Sequence, residues 1–424
     1  MSNINVDEVE EQMEEDEFEE ELHETIRFLL VEFRGSLYTF TKHIANMNCE
    51  RVHRPLNRRP ITSRGYNYIH KILKEDPTNF REIYRMYPDV FLKLNNILRE
   101  KTHLQDTRYI CIEEMLAVFL LVVGHNTRYC LIRKTFERSR YNTSQNFNKV
   151  LKALNSIAAD MMVKPGSAVP EKIRESTRFY PYFKDCIGAI DGTHIPATVF
   201  GRDTNSYRNR HGKISQNVLA ACNFDLEFIY VLSGWEGSAH DSNVLTDALS
   251  RNNGLKVTQG YFFNATSLFN FFLFFRIIYS IHYCGVRYHL QDFTGQGRHP
   301  EDAKELFNLR HTSLRNVTER LFGIFKSRFK LFKTAPPFKY TTQTEIVLAC
   351  AGLHNFLRKE CRSDEFPVET EIEVPPSSSE QVYKDDNFGE LFDTQEQQRT
   401  NTNAWRDAIA NQMWSDYDHI VNKS

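Results

Sequence analysis

The chain has 424 residues, of which 41% are hydrophobic and 13% aromatic, enough to bury at least one large core across two or three domains and to exclude a wholly unfolded polymer. Eight cysteines, at 49, 111, 130, 186, 222, 284, 350 and 361, form no C-x-x-C pair, and there is no signal-peptide start. This argues for reduced thiols in a cytosolic or nuclear protein rather than a disulfide-built framework. The net charge of -2 hides an asymmetry: residues 1–24 carry twelve acids and no Lys or Arg, residues 360–424 carry fifteen acids against five bases, and 25–359 is left at about +20. Such a middle can present a polyanion-binding face or simply a soluble surface.

In chain order, the acidic opening has too little apolar content to fold alone. A short amphipathic piece and a basic, Pro-broken stretch, Arg51 to Pro60, follow. From Asn79 to about Ile157 the period is helical: Phe80, Ile83, Tyr84, Tyr87 and Phe91 recur at three- and four-residue steps, as do Met115, Phe119 and Val122. After a break at Gly124-His-Asn126, two short helices are predicted at Tyr129–Arg138 and Ser144–Leu154, joined by a polar turn at Ser139–Thr143. With Arg133, Lys134, Arg138 and Arg140 nearby, this is compatible with a helix-turn-helix or with plain helical packing. Beyond a Pro-rich, charged linker the period shifts to strands at Cys186–Ile195, Gln216–Phe224 and Phe228–Ser233, then to helices at Asp241–Ser250, Ser313–Phe332 and Thr342–Lys359. Strands first and flanking helices afterwards predict a mixed α/β domain. Near the end, Trp405, Ile409, Met413, Tyr417 and Val421 fall four apart, a stripe suited to docking on a partner or on the protein's own body. The apolar stretch from Tyr261 to Cys284 is interrupted by Asn264, Asn270, Arg276 and His282 and is not expected to span a membrane.

The chemistry centres on carboxylates. Asp191 ends the apolar run Cys186-Ile-Gly-Ala-Ile and is followed by a glycine, so it leaves a core strand at the lip of a sheet, where an unpaired carboxylate is costly. Asp241 opens a helix, as a ligand or as a cap. Glu319 falls on the polar face of its helix, opposite Val317, Leu321, Ile324 and Phe325, with Arg315, Lys326 and Lys330 near it. This suits a metal ligand beside a phosphate, or merely an Arg315–Glu319 surface pair. Tyr207 to Lys213 is a basic segment suited to phosphate contacts.

Taken in order, Asp191-Gly-Thr-His, Gly237-Ser-Ala-His-Asp-Ser, Phe307-Asn-Leu-Arg-His and Glu319-Arg-Leu-Phe-Gly-Ile-Phe-Lys-Ser-Arg-Phe resemble the PIF/Harbinger superfamily of DDE transposases and the plant nucleases domesticated from them. The resemblance runs from about Arg64 to about Arg358. It implies an RNase H-like mixed sheet flanked by helices, preceded by an all-helical region, that cuts DNA with Mg²⁺ or Mn²⁺ in the nucleus or also the cytoplasm. By motif, Asp191 and Glu319 are the first and closing catalytic carboxylates, and Asp241 is a further metal-site aspartate. Arg208, Lys213, Arg315, Lys326 and Lys330 are candidates for nucleic-acid contacts. A Myb-like DNA-binding protein or a chromatin complex is the implied partner. One departure stands out: no Asp or Glu occurs from Ala248 to Gln291, where the family carries its second catalytic aspartate. Residues 261–284 lack both strand and helix periodicity, and read as an aberrant Phe-rich insert, such as translated intron sequence, that impairs the nuclease or leaves a silent DNA- or chromatin-binding adaptor.

The expected organisation is an acidic disordered 1–24; an amphipathic piece and basic linker at 25–63; a helical region at 64–163; a linker at 164–181; a DDE nuclease domain at 182–359; an acidic disordered tail at 360–403; and an amphipathic helix at 404–424.

Overall fold

The computed structural model describes residues 64–166, 168–257, 261–265, 278–280, 286, 299–361 and 392–421. The acidic opening, the basic linker, tail residues 362–391, most of the Phe-rich stretch and the family-like segment at 287–290 lie outside the described residues. The chain divides into two compact units, residues 1–157 with 328–331, and residues 158–327 with 332–424.

The first unit is helical: α1 (Arg64–Ile72), α2 (Pro77–Tyr84), α3 (Pro88–Lys101), α4 (Ile112–His125), α5 (Tyr129–Phe136) and α6 (Arg140–Met161). The predicted stripe packs as expected, with Phe80 4.7 Å from Tyr84 and 5.3 Å from Phe91 between ring centroids. Helix α4 is buried on nearly every face, so its two glutamates need cations. Glu113 meets Arg99 at 3.4 Å, and Glu114 takes a fork from Arg138 at 2.6 and 3.0 Å. Arg138, one of the bases near the predicted turn, is therefore tied to the buried Glu114. The helix boundaries also shift. Helix α5 stops at Phe136 because Glu137 is left-handed (φ 51°), and Ser139 caps α6 by accepting the Asn142 N–H at 3.2 Å.

The second unit is built on a five-stranded sheet of order β3-β2-β1-β4-β5: β1 (Cys186–Pro196), β2 (Ser215–Cys222), β3 (Phe228–Glu236), β4 (Phe262–Ala265) and β5 (Ile278–Ser280). Strands β1 to β3 are antiparallel, while β4 pairs parallel with β1 and β5 parallel with β4. Three antiparallel strands extended by parallel ones, with helices on both faces, is the RNase H-like arrangement that the motifs imply. Helix α7 (Asp241–Ser250) packs Val244, Leu245 and Ala248 against Ile187, Ile190 and Leu219 of one face. On the other face lie α8 (Ala303–Arg328) and α9 (Tyr340–Glu360), whose Phe325 and His354 meet the Phe228 ring edge-on at 5.2 and 5.3 Å. Buried Asn355 of α9 accepts the Phe228 N–H and donates to the Phe228 carbonyl, both at 2.7 Å, and donates to Met161 O at 3.0 Å.

The Phe-rich stretch contributes to the sheet. Both β4 and β5 come from within 261–284, and Phe263 is fully buried in the core cluster. Phe262, Phe263 and Asn264 of β4 are all buried, and a parallel strand covered on both faces reads as a continuous apolar run, which is why alternation was missing there. The C-terminal helix, α10 (Phe392–Val421), begins inside the tail expected to be disordered. It docks on its own unit: Trp405 meets Phe262 edge-on at 5.3 Å, Ala410 and Met413 are buried, and Tyr182 donates to Asp416 at 2.5 Å. Among the described residues no helix is long and apolar enough to cross a membrane.

Candidate metal and nucleic-acid site

Asp191 lies at the centre of β1, opposite Ala220 of β2, one residue beyond the end of the β1–β4 register at Ile190↔Ala265. Its carboxylate is 13% exposed and receives the Arg315 guanidinium at 2.8 Å. The same guanidinium donates to Glu319 at 2.8 Å, one turn further along α8. The two carboxylates singled out by motif, more than a hundred residues apart, thus converge on one cation. Helix α8 achieves this because Val317, Leu321, Ile324 and Phe325 are buried, which turns Arg315 and Glu319 towards Asp191. The anticipated Arg315–Glu319 pair exists, with Asp191 as its third member.

Burial pushes the Asp191 carboxyl up to about 6. Arg315 and the Gly192 N–H pull it down, and the Asp241 and Glu319 charges add to the rise. An acid that costly to ionise beside an arginine marks a place where a positive charge is wanted.

Asp241 approaches from the other side. Neighbouring residues on a strand point to opposite faces, and a Cβ on Gly192 would lie 2.8 Å from Asp241 Oδ1. Asp241 therefore sits over the Gly192 face, where Asn217 donates to it at 2.7 Å. His194 and Ser215 share this face and pair at 3.2 Å. Burial lowers the His194 pKa first of all; Asp241 opposes this, while Arg210, Lys326 and His211 reinforce it. Among the described residues no three His, Cys, Asp or Glu side chains gather into a group able to hold a metal ion. The expected trio of Asp191, Asp241 and Glu319 is a pair plus a carboxylate across the strand.

Of the candidate phosphate contacts, Arg315 is in the site and Lys326 is close enough to act on His194. Arg208 and Lys213 bracket a tight exposed hairpin, closed by an Arg208↔Ile214 bridge, in which Arg208 donates to Gly212 O at 3.0 Å. The hairpin's tip, Arg210 and His211, also acts on His194 and was missed in the sequence; its place inside Tyr207–Lys213 was the available signal. Lys330 lies beyond the end of α8, in a turn grouped with the helical unit, where it helps hold the His125 pKa at about 4 after burial and Arg85.

The resemblance implies a divalent metal, and the donor set bears on whether one fits here. Asp191 and Glu319 offer hard oxygen donors to a point already occupied by a cationic group. Mg²⁺ is commonly held by one or two carboxylates, with water and substrate phosphate completing the shell. Asp191 and Glu319 are the two carboxylates that would hold such an ion, at the point where Arg315 now lies.

Two family profiles match the chain. Residues 62–156 match a domain of unknown function, DUF8040, and residues 190–355 match the DDE superfamily endonucleases. No curated protein and no solved structure matches. The second match begins one residue before Asp191 and ends within α9, covering the sheet from Ile190 onwards, Asp241, Arg315 and Glu319. The chain therefore carries a DDE superfamily endonuclease domain of transposase-derived type, on an RNase H-like fold, over residues 190–355.

Proposed function

We propose that the protein is a Harbinger-type nuclease acting on DNA phosphodiester bonds in the nucleus, with one divalent cation held between Asp191 and Glu319 and with impaired turnover. The observation that carries the reading is the shared guanidinium: Arg315 reaches both carboxylates at 2.8 Å, so the pair already addresses one positive centre. A bound Mg²⁺ or Mn²⁺ would activate water or a 3′-hydroxyl and stabilise the leaving oxygen. Arg315 would then be available to the scissile phosphate, and Lys326 and Arg210 supply further positive charge near His194. Asp241 acts through its field and by holding Asn217 rather than as a direct ligand.

The ordered motifs from Asp191 to Phe329 support the Harbinger subtype. Impairment follows from the missing aspartate, because no acid lies between Ala248 and Gln291 and a second ion would lack its charge partner. A Myb-like or chromatin protein is the proposed partner. The second reading is a silent DNA-binding adaptor, favoured by the lack of a three-ligand group among the described residues. A nicking assay on supercoiled DNA with Mg²⁺ or Mn²⁺ decides between them. Slow nicking that disappears in Asp191→Ala supports the nuclease; DNA retention with no cleavage above the Asp191→Ala background supports the adaptor.

A further inference from the structure

The connection between β1 and β2 presents an aromatic ring that the carboxylate site does not use. It leaves the sheet at the Pro196↔Ser215 pair and is closed at its base by the Ala197 N–H, which donates to Ile214 O at 3.2 Å. Two anchors fix it to the second unit. Gln343 of α9 clamps Thr198, accepting its N–H at 3.1 Å and donating to its carbonyl at 2.8 Å, and the same amide donates to Phe338 O at 2.7 Å. Further along, Ser206 O accepts the Ser238 N–H at 3.0 Å and the Tyr207 ring meets Tyr340 of α9 edge-on at 4.8 Å. Gly237 passes so close that a Cβ there would lie 2.4 Å from Tyr207 O.

Between the anchors the chain turns at Gly201, whose φ of 90° favours glycine, into a short 3-10 turn, Arg202–Asn205, in which the Thr204 hydroxyl donates to Gly201 O at 2.7 Å. Phe200, held between the Thr198 clamp and this turn, is 84% exposed. Its surroundings select what can cover it. Residues 197–214 hold Arg202, Arg208, Arg210 and Lys213 against one acid, Asp203, and Arg208, Arg210 and Lys213 are exposed. Among the described residues of this connection no other large hydrophobic side chain is exposed. A protein partner seeks a contiguous apolar patch, which a single ring among bases does not supply. A nucleotide offers both complements, an apolar π-face for the ring and phosphates for the cations. In paired, stacked duplex that face is already covered, so the base that meets Phe200 is an unpaired one.

We propose that Phe200 stacks on an unpaired base of the bound DNA, with Arg208, Arg210 and Lys213 on nearby phosphates. This rests on the nuclease reading, from which it takes DNA as the polymer engaged, and it narrows the substrate class to DNA interrupted by an unpaired nucleotide.

The test is binding by the full chain, in EDTA so that cleavage plays no part, read by fluorescence anisotropy. Two duplexes are compared that differ at one position: an unpaired base bulged from one strand, or an abasic residue in its place, which keeps the backbone flexibility and removes the π-face. The wild type binds the duplex with the base about tenfold more tightly. Phe200→Ala binds both with the affinity of the abasic duplex, Phe200→Leu loses most of the preference, and Phe200→Trp keeps it. The side chain is exposed, and unchanged circular dichroism confirms that the variants fold. Equal wild-type affinity for the two duplexes, or a preference that survives in Phe200→Ala, overturns the proposal while the nuclease reading stands on its own cleavage assay. Absence of any DNA binding by the wild type overturns both.

Discussion

Replacing Asp191 by Asn removes the buried charge at nearly constant shape, and the structure sets both the sign and the size of the result. The carboxyl is raised from its ordinary 3.8 to about 6, chiefly by burial, with Arg315 opposing. The folded state thus holds the proton more tightly than the unfolded one between about pH 4 and 6. Stability from this group is greatest at the acid end and falls as pH rises through about 6, by about 3 kcal/mol in all. Beyond that the contribution is flat. In the Asp191→Asn variant this loss is absent, so the stability of the variant relative to the wild type grows by about 3 kcal/mol between pH 4 and pH 7. The assay is urea unfolding in EDTA followed by tryptophan fluorescence, since Trp235, Trp405 and Trp414 all belong to the second unit. Stability curves that run parallel across this range, or a relative gain on going towards acid, would refute the electrostatic account of the site.

Three further outcomes are expected. Arg315→Gln leaves Asp191 without its cation, and at pH 8 without divalent ions it should cost about 3 kcal/mol in the same unfolding assay; a loss below about 0.5 kcal/mol would contradict it. Gly188→Ala should prevent folding of the second unit, because its Cβ would lie 2.0 Å from the Cys222 carbonyl oxygen across the β1–β2 pair; soluble protein with native near-ultraviolet circular dichroism would contradict it. Asn355→Ala removes hydrogen bonds to Phe228 and Met161 and strands the buried Phe228 N–H, while the Phe228 carbonyl keeps the Val163 N–H, an expected loss of about 2–3 kcal/mol by urea unfolding. An unchanged midpoint would contradict that clamp.

The legible parts of the chain were those in which one periodicity dominated. The apolar run into Asp191 and the stripe opposite Glu319 located β1 and α8, because each element buries a single well-marked face. Strand β4 was hidden for the converse reason: covered on both sides, Phe262 and Phe263 carry no alternation. The separation of Asp241 from Asp191 depends on which face of β1 each approaches. That parity follows from the Asn217 and Gly192 contacts, not from spacing along the chain. The pairing of Arg138 was not read from the sequence, yet a signal for it was present in Glu113 and Glu114, two acids at the head of an otherwise apolar helix. Lys330 was projected onto the Glu319 face by extending α8 past Arg328, where the helix ends. Helix α10 began earlier than expected because an acidic composition masked a docking helix whose anchors, Trp405 and Met413, come late in its length.

The central claim is that Asp191 and Glu319 share a single divalent cation, and manganese binding measured by electron paramagnetic resonance at pH 8 tests it most directly. The account predicts one Mn²⁺ per chain, bound competitively with Mg²⁺, with affinity reduced about tenfold or more in both Asp191→Asn and Glu319→Gln and tightened in Arg315→Gln. Wild-type affinity in either carboxylate variant, or weaker binding when Arg315 is removed, would contradict it.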